Sequence, residues 1–363
     1  MNTMSEEKKI ILRMLREGKI TEDEALSLLE SIKDTKKKAD QPQFGGFDTT
    51  QFVEKIAQAA VKIGKETKEY IENFDFEDIS IKFKSNLDQK NKAERVVTEN
   101  ILGEENPKLE VFNRNGKINI YSWDNEEVEA RADVRFDDRF VSQTYGFIKI
   151  EREGGKILVK PDYDSTSARH FSMNITVAIP KKMFEEIKLN STNSSIEIKE
   201  IQTKALKVNS TNGTIILENT VAEIADVSST NAQIAVKKIS GHELQINTTN
   251  GRIVINDVDA SDIDIHTTNG TIVVNEIKDN VRDINTSTNN GNITISIKDV
   301  FKPVKANVKN HFKEIDTKNF ADSIFANFVT EDGAMIAYSD GYNENADRLD
   351  IEASTYNGTI NIN

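Results

Sequence analysis

From Ile187 to about residue 300, apolar and polar positions alternate in a block that recurs every 19 residues. Two of its copies read LKVNSTNGTIILENTVAEI, from Leu206, and LQINTTNGRIVINDVDASD, from Leu244. One apolar row runs Leu189, Val208, Val227, Ile246, Ile265 and Ile284. A second runs Ile196, Ile215, Ile234, Ile253, Ile272 and Ile293, and a third Ile198, Leu217, Val236, Ile255, Val274 and Ile295. Apolar residues two apart, many β-branched and separated by polar ones, are strand signals. The Ser/Thr-Thr-Asn-Gly stretch between them is turn chemistry, because Asn and Gly accept positive φ. Each unit therefore reads as strand, tight turn, strand, turn. A fixed period of this length predicts a solenoid whose units close their core only by stacking, with coils about 4.8 Å apart.

The pattern predicts a mainly β chain: an elongated, β-helix-like solenoid of 19-residue coils, preceded by a small α-helical hairpin and an amphipathic helix. The solenoid domain is placed at 95–363, with regular repeats over 187–300. LEVFNRNGKINI, from Leu109, carries the same offsets, and LDIEASTYNGTINI, from Leu349, repeats them near the far end. The sixth copy, from Arg282, reads as having two extra residues in its TSTNNG turn. The stretch from Val300 to Asn345 is the least regular, and Phe312, Phe320, Phe325 and Phe328 read as an edge cover rather than a site.

Ahead of the solenoid the period changes to that of helices. Ile10, Ile11, Met14 and Leu15 fall at helical spacing before Gly18, and Thr21 with Glu24 forms a capping box ahead of Ala25, Leu28, Leu29 and Ile32. This places a helical hairpin at 1–35, and a polar, Pro- and Gly-broken linker follows at 36–50. An amphipathic helix at 51–75 carries Phe52, Ile56, Ile63, Ile71 and Phe74 on its stripe. It reads as capping the solenoid, pairing with a partner helix or lying on a membrane surface. Its four Lys (55, 62, 65, 68) are balanced by four Glu (54, 66, 69, 72), unlike the Lys/Arg-rich face of a membrane helix.

Composition narrows the function. The net charge is −13, of which residues 1–75 contribute 13 basic against 15 acidic side chains, so nucleic acid is not an expected partner. There is no cysteine, which removes disulfides, thiolate metal sites and cysteine nucleophiles. Nothing resembles a conventional signal peptide, and no segment offers eighteen consecutive apolar residues. His170, His242, His266 and His311 show no metal-ligand spacing, and His266 reads as an exposed variant beside a turn. Asp257, Asp259, Asp262 and Asp264 occur once without recurring, unlike the ligands of a calcium β-roll. No catalytic, cofactor-binding or metal residue is therefore assigned, and no cofactor is expected. The recurrent Asn193, Asn212, Asn231, Asn250 and Asn269 read as a structural turn ladder, with a sugar- or ice-binding strip as the alternative.

LREGKITEDEALSLLESI, from Leu15, resembles the SHOCT-like hairpin that opens YvlB-type and LiaX-type proteins of Gram-positive bacteria. The S-T-N-G-x-I repeats after the strand ending Ile179-Pro180-Lys181 resemble the adhesin-type β-domain attached to it. The resemblance implies a non-enzymatic accessory or regulatory role in the cell-envelope stress response. Residues 1–75 would contact a protein partner, the solenoid would serve as scaffold, and the location would be cytoplasmic or peripheral at the membrane. Two alternatives stay open: a surface adhesin or sensor for carbohydrate or cationic antimicrobial peptide, and a polysaccharide-active β-helix enzyme.

Overall fold

The computed structural model describes residues 91–363, apart from 139–145, 164–169, 313–314, 316–317, 319, 321–323, 332–333 and 344–346. The hairpin at 1–35, the linker at 36–50 and the helix at 51–75 lie outside the described residues. The chain divides into two units, Met1–Ser80 and Ile81–Asn363, of which the second is described below.

That unit is built of strands, with no α-helix among the described residues. The first six are β1 (Asn91–Asn100), β2 (Lys108–Trp123), β3 (Glu127–Phe136), β4 (Phe147–Glu153), β5 (Lys156–Asp162) and β6 (Phe171–Pro180). The regular coils comprise β7 (Phe184–Lys199), β8 (Gln202–Asn212), β9 (Ile215–Asn231), β10 (Ile234–Asn250), β11 (Ile253–Asn269), β12 (Ile272–Ile277), β13 (Asp283–Asn290) and β14 (Ile293–Ile295). The last five are β15 (Val304–Asn310), β16 (Phe325–Glu331), β17 (Ala334–Ser339), β18 (Leu349–Asn357) and β19 (Ile360–Ile362).

Successive coils pair in parallel, and through the regular block the register is offset by one period. Ile234 lies beside Ile215 and Ile253, and Ile246 beside Val227 and Ile265. Val227, Ile246, Ile265, Ile234, Val236 and Ile255 are all fully buried, so the aliphatic rows fill one continuous interior. Fully burying such a side chain contributes about 1.5–3 kcal/mol. Within a coil the pairing breaks at Lys238 and His242, giving three straight segments rather than the two strands the pattern predicts. The extra corner carries no Gly or Pro. Glu200, Asn219, Lys238, Asp257 and Glu276, one per coil, adopt positive φ of 49° to 62° there.

Two further expectations need correction. The two extra residues of the sixth copy are not in its turn, because Ile284 pairs with Ile263 and Asn290 with Asn269. Since Ile277 still pairs at the ordinary offset, with Val258, the insertion lies between Ile277 and Asp283. Thr286, not Ile284, therefore continues the row of Ile265, and it is fully buried. A two-residue slip keeps every side chain on its face, so the alternation in the sequence is blind to it. The residues between the inward aliphatics are also not always polar. Ala235, Val254 and Val273 alternate with the inner cluster without belonging to it, yet are 0, 2 and 3 % exposed.

Both ends bring in antiparallel pairing. At the start β3 runs antiparallel to β1 and β6, and β4 antiparallel to β5. At the finish β17 runs antiparallel to β15 and β16. Residues 187–300 contain no Phe, Tyr or Trp, whereas aromatic clusters stand at both caps. Tyr163 stacks on Phe171 at 4.7 Å, and Phe320 meets Phe325 and Phe328 edge-on at 5.5 and 5.6 Å. Phe320 and Phe325 are buried, as an edge cover requires, but Phe312 is 71 % exposed.

Candidate functional site

The Thr-Asn turn brings one Asn per coil to the same corner, and in-register pairing sets each above the last. Asn193, Asn212, Asn231, Asn250 and Asn269 form the predicted ladder, and the structure extends it to Asn115, Asn290 and Asn357. Each Nδ2 donates to the Oδ1 of the preceding coil, at 2.8–2.9 Å throughout. All seven bonds point the same way, so each amide polarises the next. Where a glycine follows the Asn, its neighbour leaves no room for a side chain: a Cβ on Gly251 would stand 1.8 Å from the carbonyl oxygen of Ala232. Outside this corner charge does similar work, with Lys204 2.7 Å from Glu185 and Lys278 2.9 Å from Asp257. The hydrogen bond from Lys204 holds the Glu185 carboxyl below its ordinary value, and the one from Lys156 does the same for Glu110.

The four histidines are not brought together. His170 Nδ1 lies 3.1 Å from Asp137, His242 3.6 Å from Asp262, and His311 stacks on Tyr356 at 4.0 Å. His266 is not simply exposed: its side chain is 39 % accessible, contacts Asp264 at 2.7 Å and reaches the Ser287 hydroxyl of the next coil. Among the described residues no group of three or more His, Asp or Glu is arranged to hold a metal ion. Three of the four recurrence-free aspartates make such contacts, Asp257 with Lys278, Asp262 with His242 and Asp264 with His266.

One concave feature lies beyond the repeat. Around the turn after β17, Asn327, Tyr338, Ser339, Asp340, Gly341 and Tyr342 line an open cleft of about 320 Å³. Tyr342 N–H donates to Ser339 carbonyl oxygen at 3.3 Å, with Gly341 at φ +74° between them. This turn brings the Tyr338 and Tyr342 rings to 5.1 Å with a 55° tilt. Tyr342 Oη donates to Asp350 Oδ1 at 3.2 Å, and Arg348 Nε donates to Asp350 Oδ2 at 2.8 Å. Sequence reasoning missed these residues because they recur nowhere. The signal that could have found them is the Ser339-Asp340-Gly341 turn between two tyrosines.

A row of like charge ends at Asp350, which bonds Tyr342 beside the cleft. Asp262, Asp283 and Asp350 are register partners on successive coils. Desolvation, and then the neighbouring Asp350 and Asp262 carboxylates, push Asp283 above the usual carboxylate range. Lys305 is the next partner of Asp350, and Tyr338 is the partner of Lys305.

Comparison with known proteins places this architecture. A protein called "Uncharacterized protein YvlB", from Bacillus subtilis (strain 168), is 26 % identical over 203 residues, which are 53 % of this chain. The chain spans about half the length of that curated relative, 54 %. Among solved structures, a "putative cell adhesion protein" from Clostridium sporogenes is 14 % identical, with 75 % of this chain and 99 % of that one covered and a TM-score of 0.26. A "putative lipid binding protein" from Parabacteroides distasonis is 12 % identical, with 76 % and 97 % covered and a TM-score of 0.45. The Toastrack DUF4097 profile matches residues 141–363, more than half of the sequence, and the chain belongs to that family.

Proposed function

We propose that this chain is a non-catalytic accessory protein of the bacterial cell envelope stress response, with the solenoid as a rigid scaffold and residues 1–75 as the partner-binding element. The observation that carries the scaffold reading is the Asn ladder. Its side-chain donors and acceptors bond from coil to coil at 2.8–2.9 Å, stiffening the stack. The Lys–Glu and Lys–Asp pairs between coils support the same reading. The apolar stripe predicted over 51–75 and the hairpin over 1–35 supply the faces for a protein partner. The envelope role rests on the SHOCT-like and adhesin-type sequence resemblance. The location proposed with it is cytoplasmic or peripheral at the membrane.

The test uses the full chain as bait in its native host. In-cell cross-linking of wild type should capture a discrete envelope protein, and Leu15→Asp with Leu28→Asp on the predicted hairpin faces should abolish the capture while the solenoid stays folded. Capture that survives both substitutions, or recovery of the protein solely from the culture medium, would overturn the reading.

A further inference from the structure

We propose that the cleft at the C-terminal cap is a binding site for a neutral saccharide, an activity separate from the partner contacts assigned to residues 1–75. Four observations carry it. The cleft is concave, and its volume of about 320 Å³ falls within the range of small-ligand sites, roughly 300–1,000 Å³. The Tyr338 and Tyr342 rings, packed against each other at 5.1 Å, form one side of it, offering an apolar surface against which the C–H face of a sugar ring packs. Asn327 and Asp340 line the same space with planar amide and carboxylate groups, which pair with adjacent sugar hydroxyls. Finally, the walls are preset. Asp350 receives Tyr342 Oη, the Ser339 hydroxyl accepts the Val304 N–H at 2.8 Å, and Gly341 closes the turn. A preset wall loses little freedom when a ligand arrives.

Electrostatics separates a neutral ring from the other occupant that aromatic and acidic groups suggest, a cationic peptide. The acidic row of Asp262, Asp283 and Asp350 does not enter the cleft with its charge intact. The Arg348 guanidinium sits 6.0 Å from the Tyr342 ring centre while bonded to Asp350, and Lys305 stands between Asp350 and Tyr338 in the register. One cation, Arg348, thus already stands over the face of the Tyr342 ring. A further cation competes with Arg348 for that ring, whereas an uncharged polyol does not.

The experiment titrates the full chain with cellotetraose, chitotetraose, mannotetraose and a deca-lysine peptide, read by calorimetry and by tyrosine fluorescence. At least one tetrasaccharide should bind with a dissociation constant of about 1 mM or tighter. Tyr342→Ala and Asp340→Ala should each weaken it at least tenfold. Tyr342→Phe, which keeps the ring and loses the Asp350 bond, should weaken binding less than Tyr342→Ala does, separating the ring's contribution from that of the preset wall. Thr230→Ala, on the regular coils, should change nothing. The proposal is overturned if no tetrasaccharide binds, if deca-lysine alone binds, or if saccharide binding is indifferent to Tyr342→Ala and Asp340→Ala.

Discussion

Asn250 Nδ2 donates to Asn231 Oδ1 at 2.8 Å, one full coil earlier in the chain, while Asn250 Oδ1 accepts from Asn269 at 2.8 Å. Each inner rung is thus donor and acceptor at once, and removing one breaks two bonds. With a net value of about 0.5–1.5 kcal/mol for each hydrogen bond, Asn250→Ala should lower stability by about 1–3 kcal/mol in urea unfolding. Asn250→Asp, which keeps the acceptor and loses the donor, should fall between that variant and wild type at neutral pH. If Asn250→Ala proves no worse than Thr249→Ala beside it, the ladder contributes nothing.

The interior makes a larger prediction. Ile246 is fully buried between Val227 and Ile265 of the adjoining coils. Ile246→Ala should cost about 2–5 kcal/mol, through lost transfer energy and an unfilled cavity. Thr249→Ala, on the exposed side of the same coil, should stay within about 0.5 kcal/mol. Comparable losses at the two positions would contradict the stacked core.

The left-handed corner gives a prediction of opposite sign. Lys238 sits at φ 62°, a conformation that costs a residue with a Cβ about 1–2 kcal/mol, more than the entropy glycine loses on folding. Lys238→Gly should therefore stabilise the protein by about 0.5–1 kcal/mol, whereas Lys237→Gly, inside the paired segment, should destabilise it by a similar amount. Thermal melts of the pair check this, and a destabilised Lys238→Gly would remove the corner's assigned strain.

Acid should act on the aspartate row in an unusual direction. Asp283 is raised by desolvation and by the Asp350 and Asp262 charges, so it binds a proton more readily folded than unfolded. Its charged form therefore opposes folding at neutral pH, and that cost fades as the pH falls through the raised value toward the ordinary carboxylate range. Asp283→Asn should be more stable than wild type at neutral pH, and the advantage should shrink on acidification. Glu110 has the opposite sign, because Lys156 holds it low: the stability it gives is present above its unfolded value and is lost in acid. Urea midpoints across mildly acidic pH distinguish the two, and an Asp283→Asn advantage that grew in acid would refute the assignment.

Alternation two residues apart, repeated every 19, was enough by itself to define strands, an inner face, the stacking of coils and the Asn corner, because inward burial and in-register pairing follow directly from that period. It could not place the two-residue insertion of the sixth copy, since Ile284 faces inward whether it pairs with Ile263 or Ile265, and only the hydrogen-bonded register chooses. Nor could it mark the corner at Lys238 or Glu276, where the surrounding coil, not the residue's own preference, imposes positive φ. The cleft was beyond it for a related reason. Tyr338, Tyr342 and Asn327 belong to no repeat, and they meet only because antiparallel strands fold back over the last coils. Periodicity specifies what each coil does for its neighbour, while tertiary packing alone decides what happens where the neighbours stop.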